Sequence, residues 1–453
     1  MLKLKKVATL ICLLLTATLL LVACASPTTT QPQTPSDDAS ETTQDDNANQ
    51  EEPATPPEDP GEIVTLDFWT WRVEDVEFYN RMIDIFESRN PNIRVNQNAI
   101  RSTDYNTMLT AALAGGGGPD VFMSRPYGGI AVFAESGFMM PLDDLLPEEL
   151  ATFDQQSLNA AIAAATGNIY GVPAVSQAVF IFYNTDIYEE LGLSIPTTWE
   201  EFLSNLRATQ DAGYVGIANG TLEGWIGELM LGAIGPTFYG ANDFFDRIMS
   251  GETTFEDPAF IAAVDRLNEL APYMPNQFEG VAYTDMQISF ANGISAHFIG
   301  GSFEAGTFAD LNPDINFNIF ATPGDSASDP AYVSSWADMN FSINANTSQL
   351  DASLELLRFF ASQEFGQAVV DQLAMITSVP GVDVAANPFI ARVIELQENS
   401  TPYLLLVGFR FEQPTGSSLF QAAVQAMMVG DMTAAEVAAE VQRGVAEWFE
   451  PFQ

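Results

Sequence analysis

Val64-Thr65-Leu66-Asp67-Phe68-Trp69-Thr70-Trp71 reads as a β-strand, dense in β-branched and aromatic residues. The alternation that begins with this strand decides the fold. Val76, Tyr79, Ile83 and Phe86 recur on one face of a helix that must end before Pro91. Ile93-Arg94-Val95 gives a second strand, and Tyr105 to Ala114 a second helix, stopped by Gly115 to Gly118 and Pro119. Val121-Phe122-Met123 is a third strand. Strands that alternate with helices of this length imply an α/β fold, with a parallel sheet covered on both faces. Ligands of such sheets bind beyond the carboxyl ends of the strands. That rule singles out Trp71 and Arg72 after the first strand.

Further along, Val172-Pro173-Ala174-Val175 leads into the apolar strand Val179-Phe180-Ile181-Phe182-Tyr183. Thr197-Thr198-Trp199-Glu200 reads as a capping box opening a helix to about Ala212. Asp257-Pro258 opens another helix, whose apolar face is Ile261, Val264, Leu267 and Leu270. A helix near Thr284 to Asn292 leads into the strand from Ile294 to Ile299, which carries His297 as a structural residue. Helices dominate from Ser348 to Leu373 and from Ser417 to Trp448.

The N-terminal end has a different character. Lys3, Lys5 and Lys6 precede an apolar run from Val7 to Val22, a secretory signal peptide too short to span a membrane comfortably. Residues 25–61 are Ser, Thr, Pro, Gln, Asn and acid, and cannot bury enough surface to offset their ordering entropy, so they read as a tether. Beyond the signal peptide no lysine remains, and 13 arginines face 60 acids, a balance of about −47. A surface of that sign excludes nucleic acid as a partner. One histidine and two cysteines, Cys12 and Cys24, supply no ligand set for a metal or other cofactor. Any pair of the many acids could be imagined as catalytic, so they carry no argument for a secreted carbohydrate-active enzyme.

Leu21-Val22-Ala23-Cys24 resembles the lipobox of bacterial lipoproteins, which implies removal of residues 1–23 and a lipid on Cys24 that holds the protein at the outer face of the cell membrane. From Val64 onward the chain resembles the extracellular solute-binding proteins of ABC importers, in the branch that includes maltose-binding protein. The resemblance rests on Gly118-Pro119-Asp120-Val121-Phe122, Ile169-Tyr170-Gly171-Val172-Pro173, Tyr183-Asn184-Thr185-Asp186, Pro196-Thr197-Thr198-Trp199 and Gly300-Gly301-Ser302-Phe303, in that order and spacing. It implies a two-lobed periplasmic-binding-protein fold, each lobe a mainly parallel sheet flanked by helices, joined by a multi-segment hinge. Carried onto this chain, residues 62–173 plus 335–383 form one lobe and 174–334 plus 384–453 the other. The implied function is capture of a carbohydrate by hinge closure and delivery to a membrane permease, by a monomer that is not an enzyme. A polyamine, a peptide or an anion would suit the same fold.

Sugars combine apolar ring faces with hydroxyl rims, so their sites pair aromatic platforms with polar side chains. Besides Trp71 and Arg72, the resemblance directs attention to Arg125 and Tyr127 after the third strand, to Gln177 after the first crossing, and to Glu223 and Trp225 in a loop of the second lobe. It adds Phe303 where maltose-binding protein stacks a tryptophan, Trp336 and Asp338 at the second crossing, and Arg410 near the end. Trp71 and Trp336 are the expected stacking rings.

Overall fold

The computed structural model describes residues 63–384 and 387–453. The expected signal peptide, the lipidated Cys24 and the tether lie outside the described residues.

The fold is two-lobed α/β, built on two sheets. In the first, β1 (Val64–Thr70), β2 (Ile93–Ala99) and β3 (Val121–Ser124) run parallel, as the alternation of strand and helix demands. They are linked by α1 (Val76–Arg89) and α2 (Ser102–Ala114). Helix α3 (Gly128–Glu135) comes after β3. Strand β4 (Val172–Pro173) completes this sheet at one edge, and β5 (Val175–Asn184) begins the second.

The second sheet has the order β12-β9-β5-β7-β6, with β8 and β11 also on β5. Its strands are β6 (Val215–Ile217), β7 (Ser295–Gly301), β8 (Phe317–Phe320) and β9 (Val333–Ala337), joined later by β11 (Ile376–Thr377) and β12 (Ser400–Pro402). Here the expectation of a mainly parallel sheet meets a mixed one. Strand β5 is antiparallel to β7, β8, β9 and β11, and parallel pairing is confined to β6 with β7 and β12 with β9. The first sheet also takes in an antiparallel strand, β10 (Asn340–Ile343), between β3 and β4. The chain thus leaves the second sheet at Ala337 and re-enters the first at Asn340, a few residues beyond Ser334.

Each sheet has its own core. Leu66, Phe68, Phe122, Phe341 and Phe360 are buried in the first, with Phe341 stacked on Phe360 at 4.1 Å. Phe180, Phe182, Phe202, Phe298 and Phe308 fill the second. Helix α4 (Trp199–Asp211) starts with Thr198 accepting from the Glu201 amide. The cap pair is therefore Thr198 and Glu201, one residue later than the expected Thr197 and Glu200, and the Glu201 carboxylate accepts from the Thr197 amide and hydroxyl. Helices α5 (Trp225–Tyr239), α6 (Pro258–Leu270) and α7 (Tyr283–Ala291) cover the second sheet. Helix α8 (Glu304–Leu311) comes after β7.

His297 is fully buried on β7. Its two ring nitrogens bond the Gly216 carbonyl at 2.8 Å and the Tyr188 hydroxyl at 2.7 Å. Burial holds its pKa down at about 4, so both bonds serve a neutral ring. Among the described residues no helix is long and apolar enough to cross a membrane, and no group of His, Cys, Asp or Glu is arranged to hold a metal.

Candidate functional site

The residues singled out at the ends of β1 and β3 meet. Trp71 directly succeeds β1 and is 4% exposed. Its edge packs on Tyr105 of α2, with centroids 5.4 Å apart, and the Arg125 guanidinium lies over its face at 3.9 Å. This indole is covered by a cation, and is not an open platform in this arrangement. Arg125 donates to Ser102 Oγ at 2.7 Å, and among the described residues it has no carboxylate within ion-pairing distance. Burial lowers its pKa to about 10; Asp338 attracts it, while Arg410 and Arg72 repel it.

Tyr127 sits at a left-handed φ of 55° just before α3, and its hydroxyl accepts from the Ala337 amide at 3.3 Å. A side chain of the first sheet thereby holds the end of β9 in the second. Trp336, on β9, is buried against Tyr403 with centroids 4.9 Å apart, and its Nε1 donates to Asp338 Oδ1 at 3.2 Å. Trp336 and Asp338 therefore act as a pair, and the Asp338 carboxylate is the nearest negative group to Arg125 in electrostatic effect.

Arg410 approaches from the C-terminal part. Glycine at 128 makes this possible, because a Cβ there would lie 2.0 Å from the Arg410 carbonyl oxygen. Its guanidinium donates to Ser417 Oγ at 2.6 Å and pairs with Glu228 at 3.1 Å. Glu228, on α5, is 1% exposed and also accepts from Ser417 and Gln421. Arg72 is likewise committed, to Glu74 at 2.8 Å and Asp75 at 2.6 Å. Burial works against its charge, but Asp75 and Glu74 outweigh it and hold the pKa above the usual arginine value.

A second group faces Arg72. The Glu223 carboxylate accepts from the Tyr283 amide at 2.9 Å, capping α7 from outside the helix. Trp225 packs edge-on against the Tyr283 ring at 4.8 Å. Tyr283 donates its hydroxyl to Glu304 at 2.7 Å, and Gln287 donates its amide to the other Glu304 oxygen at 2.9 Å. Burial pushes Glu304 up to about 7 against those two hydrogen bonds; Arg72 opposes the rise and Glu74 adds to it.

Two expected residues sit elsewhere in role. Gln177 is fully buried on β5, accepts from Ser302 and donates to Met375 Sδ at 3.7 Å, which leaves its amide no open face. Phe303 is half-buried and packs against both cores at once, bridging them. Sequence reasoning alone misses Tyr283, Glu304, Tyr403 and Glu228. Glu304 stands directly after the Gly300-Gly301-Ser302-Phe303 run, a signal that could find it. Glu228 lies in a helix buried almost all round, and one acid among Ile226, Leu229 and Met230 is a second such signal.

The profile of bacterial extracellular solute-binding proteins matches residues 71–367. The multiple sugar-binding protein of Streptococcus mutans is 23% identical over 350 residues, covering 76% of this chain and 82% of that protein. The mannitol-binding protein of Pseudomonas aeruginosa is 24% identical over 358 residues, covering 75% and 80%. Among solved structures, a chitin oligosaccharide binding protein superposes with a TM-score of 0.74 at 20% identity, over 86% of this chain and all of that one.

Proposed function

We propose, for a chain that belongs to the bacterial extracellular solute-binding protein family, that it captures an uncharged carbohydrate between its two lobes and presents it to an ABC permease. The observation that carries this reading is the group around Arg125: a guanidinium with unused donors lies on Trp71 beside the Asp338–Trp336 pair. A donor cation next to an acceptor carboxylate, framed by indoles, suits a sugar diol, which must both accept and donate. The balanced state of Arg72 and Arg410 argues against a strongly anionic ligand, since their charge is already spent on Glu74, Asp75 and Glu228. The sugar-binding and mannitol-binding relatives point the same way.

In this reading Arg125, Tyr127, Trp336 and Asp338 touch the ligand, and Trp71 supports Arg125 from beneath. Glu223, Trp225, Phe303 and Arg410 shape the opposing wall, Arg72 lies beside Trp71 on the first, and Gln177 braces the hinge. The lobes would be residues 62–173 with 335–383, and 174–334 with 384–453. Ligand contacts made only when the lobes are together shift the population toward closure. A lipid on Cys24 would tether the receptor to the outer face of the membrane.

A thermal-shift screen of the chain against neutral sugars, uronates, polyamines and short peptides tests this. A ligand of the native state at a hundredfold excess over its dissociation constant adds about 2.7 kcal/mol of stability. A shift confined to neutral sugars is expected. A shift confined to polyamines, peptides or uronates overturns the ligand class.

A further inference from the structure

The helix that begins at Glu304 lies where the two lobes meet. Phe303, one residue earlier, packs against both cores. At Gly306 the helix backbone comes close to the helix Gln363–Leu373, whose Phe365 and Val369 belong to the core of the first sheet. A Cβ at Gly306 would stand 3.3 Å from the Leu373 carbonyl oxygen. Arg72 and Glu74, just past β1, act on Glu304 from the first lobe as well. The first lobe thus forms part of the cover over a carboxyl that belongs to the second, and Glu304 is fully buried.

The second lobe offers this carboxyl two donors, Tyr283 at 2.7 Å and Gln287 at 2.9 Å, and no ion pair among the described residues. The first lobe offers Arg72, already spent on Glu74 and Asp75. Other titratable groups on the elements packed here are engaged or in water. Glu223 accepts from the Tyr283 amide, Glu364 pairs with Arg89, and Asp371 accepts from Gln367. Asp285 and Asp310 are exposed, and His297 is neutral between Gly216 and Tyr188. Burial is the largest influence on Glu304 and outweighs both donors and Arg72. Parting the lobes brings water to the carboxylate as it takes Arg72 and Glu74 away, so the ion costs less in the open arrangement.

We propose that Glu304 is a proton-operated latch between the lobes: protonated, it lets them stay together, and ionised, it drives them apart and loosens the grip on a captured ligand. The latch needs the two-lobed fold only, and is independent of what the ligand is. With the lobes together the group keeps its proton up to about pH 7; parted, it returns toward 4.5. Opening therefore releases a proton between those values, and the closed population falls as pH rises through that window.

Dipolar electron paramagnetic resonance on the ligand-free full chain tests it, with Cys12→Ser and Cys24→Ser and nitroxides on Met108→Cys and Ile288→Cys. Met108 lies on α2 of the first lobe and Ile288 on α7 of the second, and both are exposed. From about pH 5.5 to about 8.5 the ratio of short to long distances should fall about tenfold in this parent. Glu304→Gln keeps both neighbours, since its amide can accept from Tyr283 and donate to a turned Gln287, and should stay at the short distance throughout. Glu74→Gln changes a partly exposed carboxylate that favours the protonated form, so it should fold and move the midpoint to lower pH. A parent whose distances ignore pH overturns the latch, and so does a pH response that survives in Glu304→Gln. A midpoint unmoved by Glu74→Gln overturns the part given to the first lobe. No sugar enters the experiment, so its failure leaves the proposed ligand class standing.

Discussion

Arg125 follows a strand of the first sheet and Arg410 sits against a helix of the second, close enough to repel one another, and the molecule treats them in opposite ways. Arg410 lies on a buried carboxylate, with Glu228 accepting from it and from Ser417 and Gln421. Arg125 lies on an indole, makes one hydrogen bond to a serine, and has no ion pair among the described residues. The difference separates an arginine that holds structure from one kept available for something absent from the protein itself. Breaking each in turn should therefore give opposite results.

The largest effect is expected from Arg410→Met. It strands the Glu228 carboxylate, 1% exposed, without its cation. Removing one partner of a buried pair costs about 4 kcal/mol, and urea unfolding should show a loss of that order. The double variant Arg410→Met/Glu228→Gln should recover most of it, since no buried charge is then uncompensated. A single variant as stable as wild type would mean that Glu228 is not held as an ion by Arg410, and the contrast would collapse.

Glu304 supplies the same contrast for carboxylates. Glu228 has a cation; Glu304 has only Tyr283 and Gln287, and burial lifts its pKa from 4.5 to about 7. Below pH 4.5 the folded and unfolded chains both hold the proton. Between 4.5 and about 7 only the folded chain does, so stability falls as pH rises through that window and levels off above it. The full loss is about 3 kcal/mol. Glu304→Gln should erase that slope and leave a variant more stable than wild type at pH 8. Parallel pH profiles for the two proteins would show that Arg72, the cation facing Glu304, keeps the carboxylate charged after all.

The sequence made much of the fold legible and little of this contrast. β1, α1, β2, α2 and β3 are neighbours in the chain, and each carries its own period, so local reading reaches them. β10 is beyond reach because its partners, Met123 on one side and Val172 on the other, lie far back in the chain. The antiparallel setting of β5 is hidden for the same reason: an apolar run such as Val179 to Tyr183 looks the same in either direction. Among the site residues, position is readable and state is not. Trp71 can be placed at a strand end by rule, and the resemblance places Arg125, Trp336 and Asp338. Nothing local says that Arg410 meets Glu228, 182 residues away, or that Arg125 meets no carboxylate. Glu304 is easily passed over beside Phe303 because its environment comes from Tyr283 and Gln287 on α7.

Arg125→Met should do the reverse of Arg410→Met. It removes a cation whose burial already lowers its pKa, and leaves no stranded charge behind, so the unfolding free energy should change far less than for Arg410. The ligand should register the loss instead. Hydrogen bonds to a charged group contribute roughly 1.5–3 kcal/mol, so affinity for the bound sugar should fall by one to two orders of magnitude. Loss of stability with unchanged affinity would place Arg125 in the structural class with Arg410.

The smallest effect belongs to a third kind of arginine, and it sets the scale for the other two. Arg89, at the end of α1, makes two short bonds to Glu364, 2.6 and 2.7 Å, a geometry as good as any in the molecule. Both side chains are about half exposed. In that position water solvates either ion once the other is removed, salt screens the attraction, and two long side chains lose freedom by pairing. Arg89→Ala should leave the unfolding midpoint within experimental error, at low salt and at high. A loss approaching that of Arg410→Met would mean that bond length, and not the fate of the abandoned partner, decides what an ion pair is worth here.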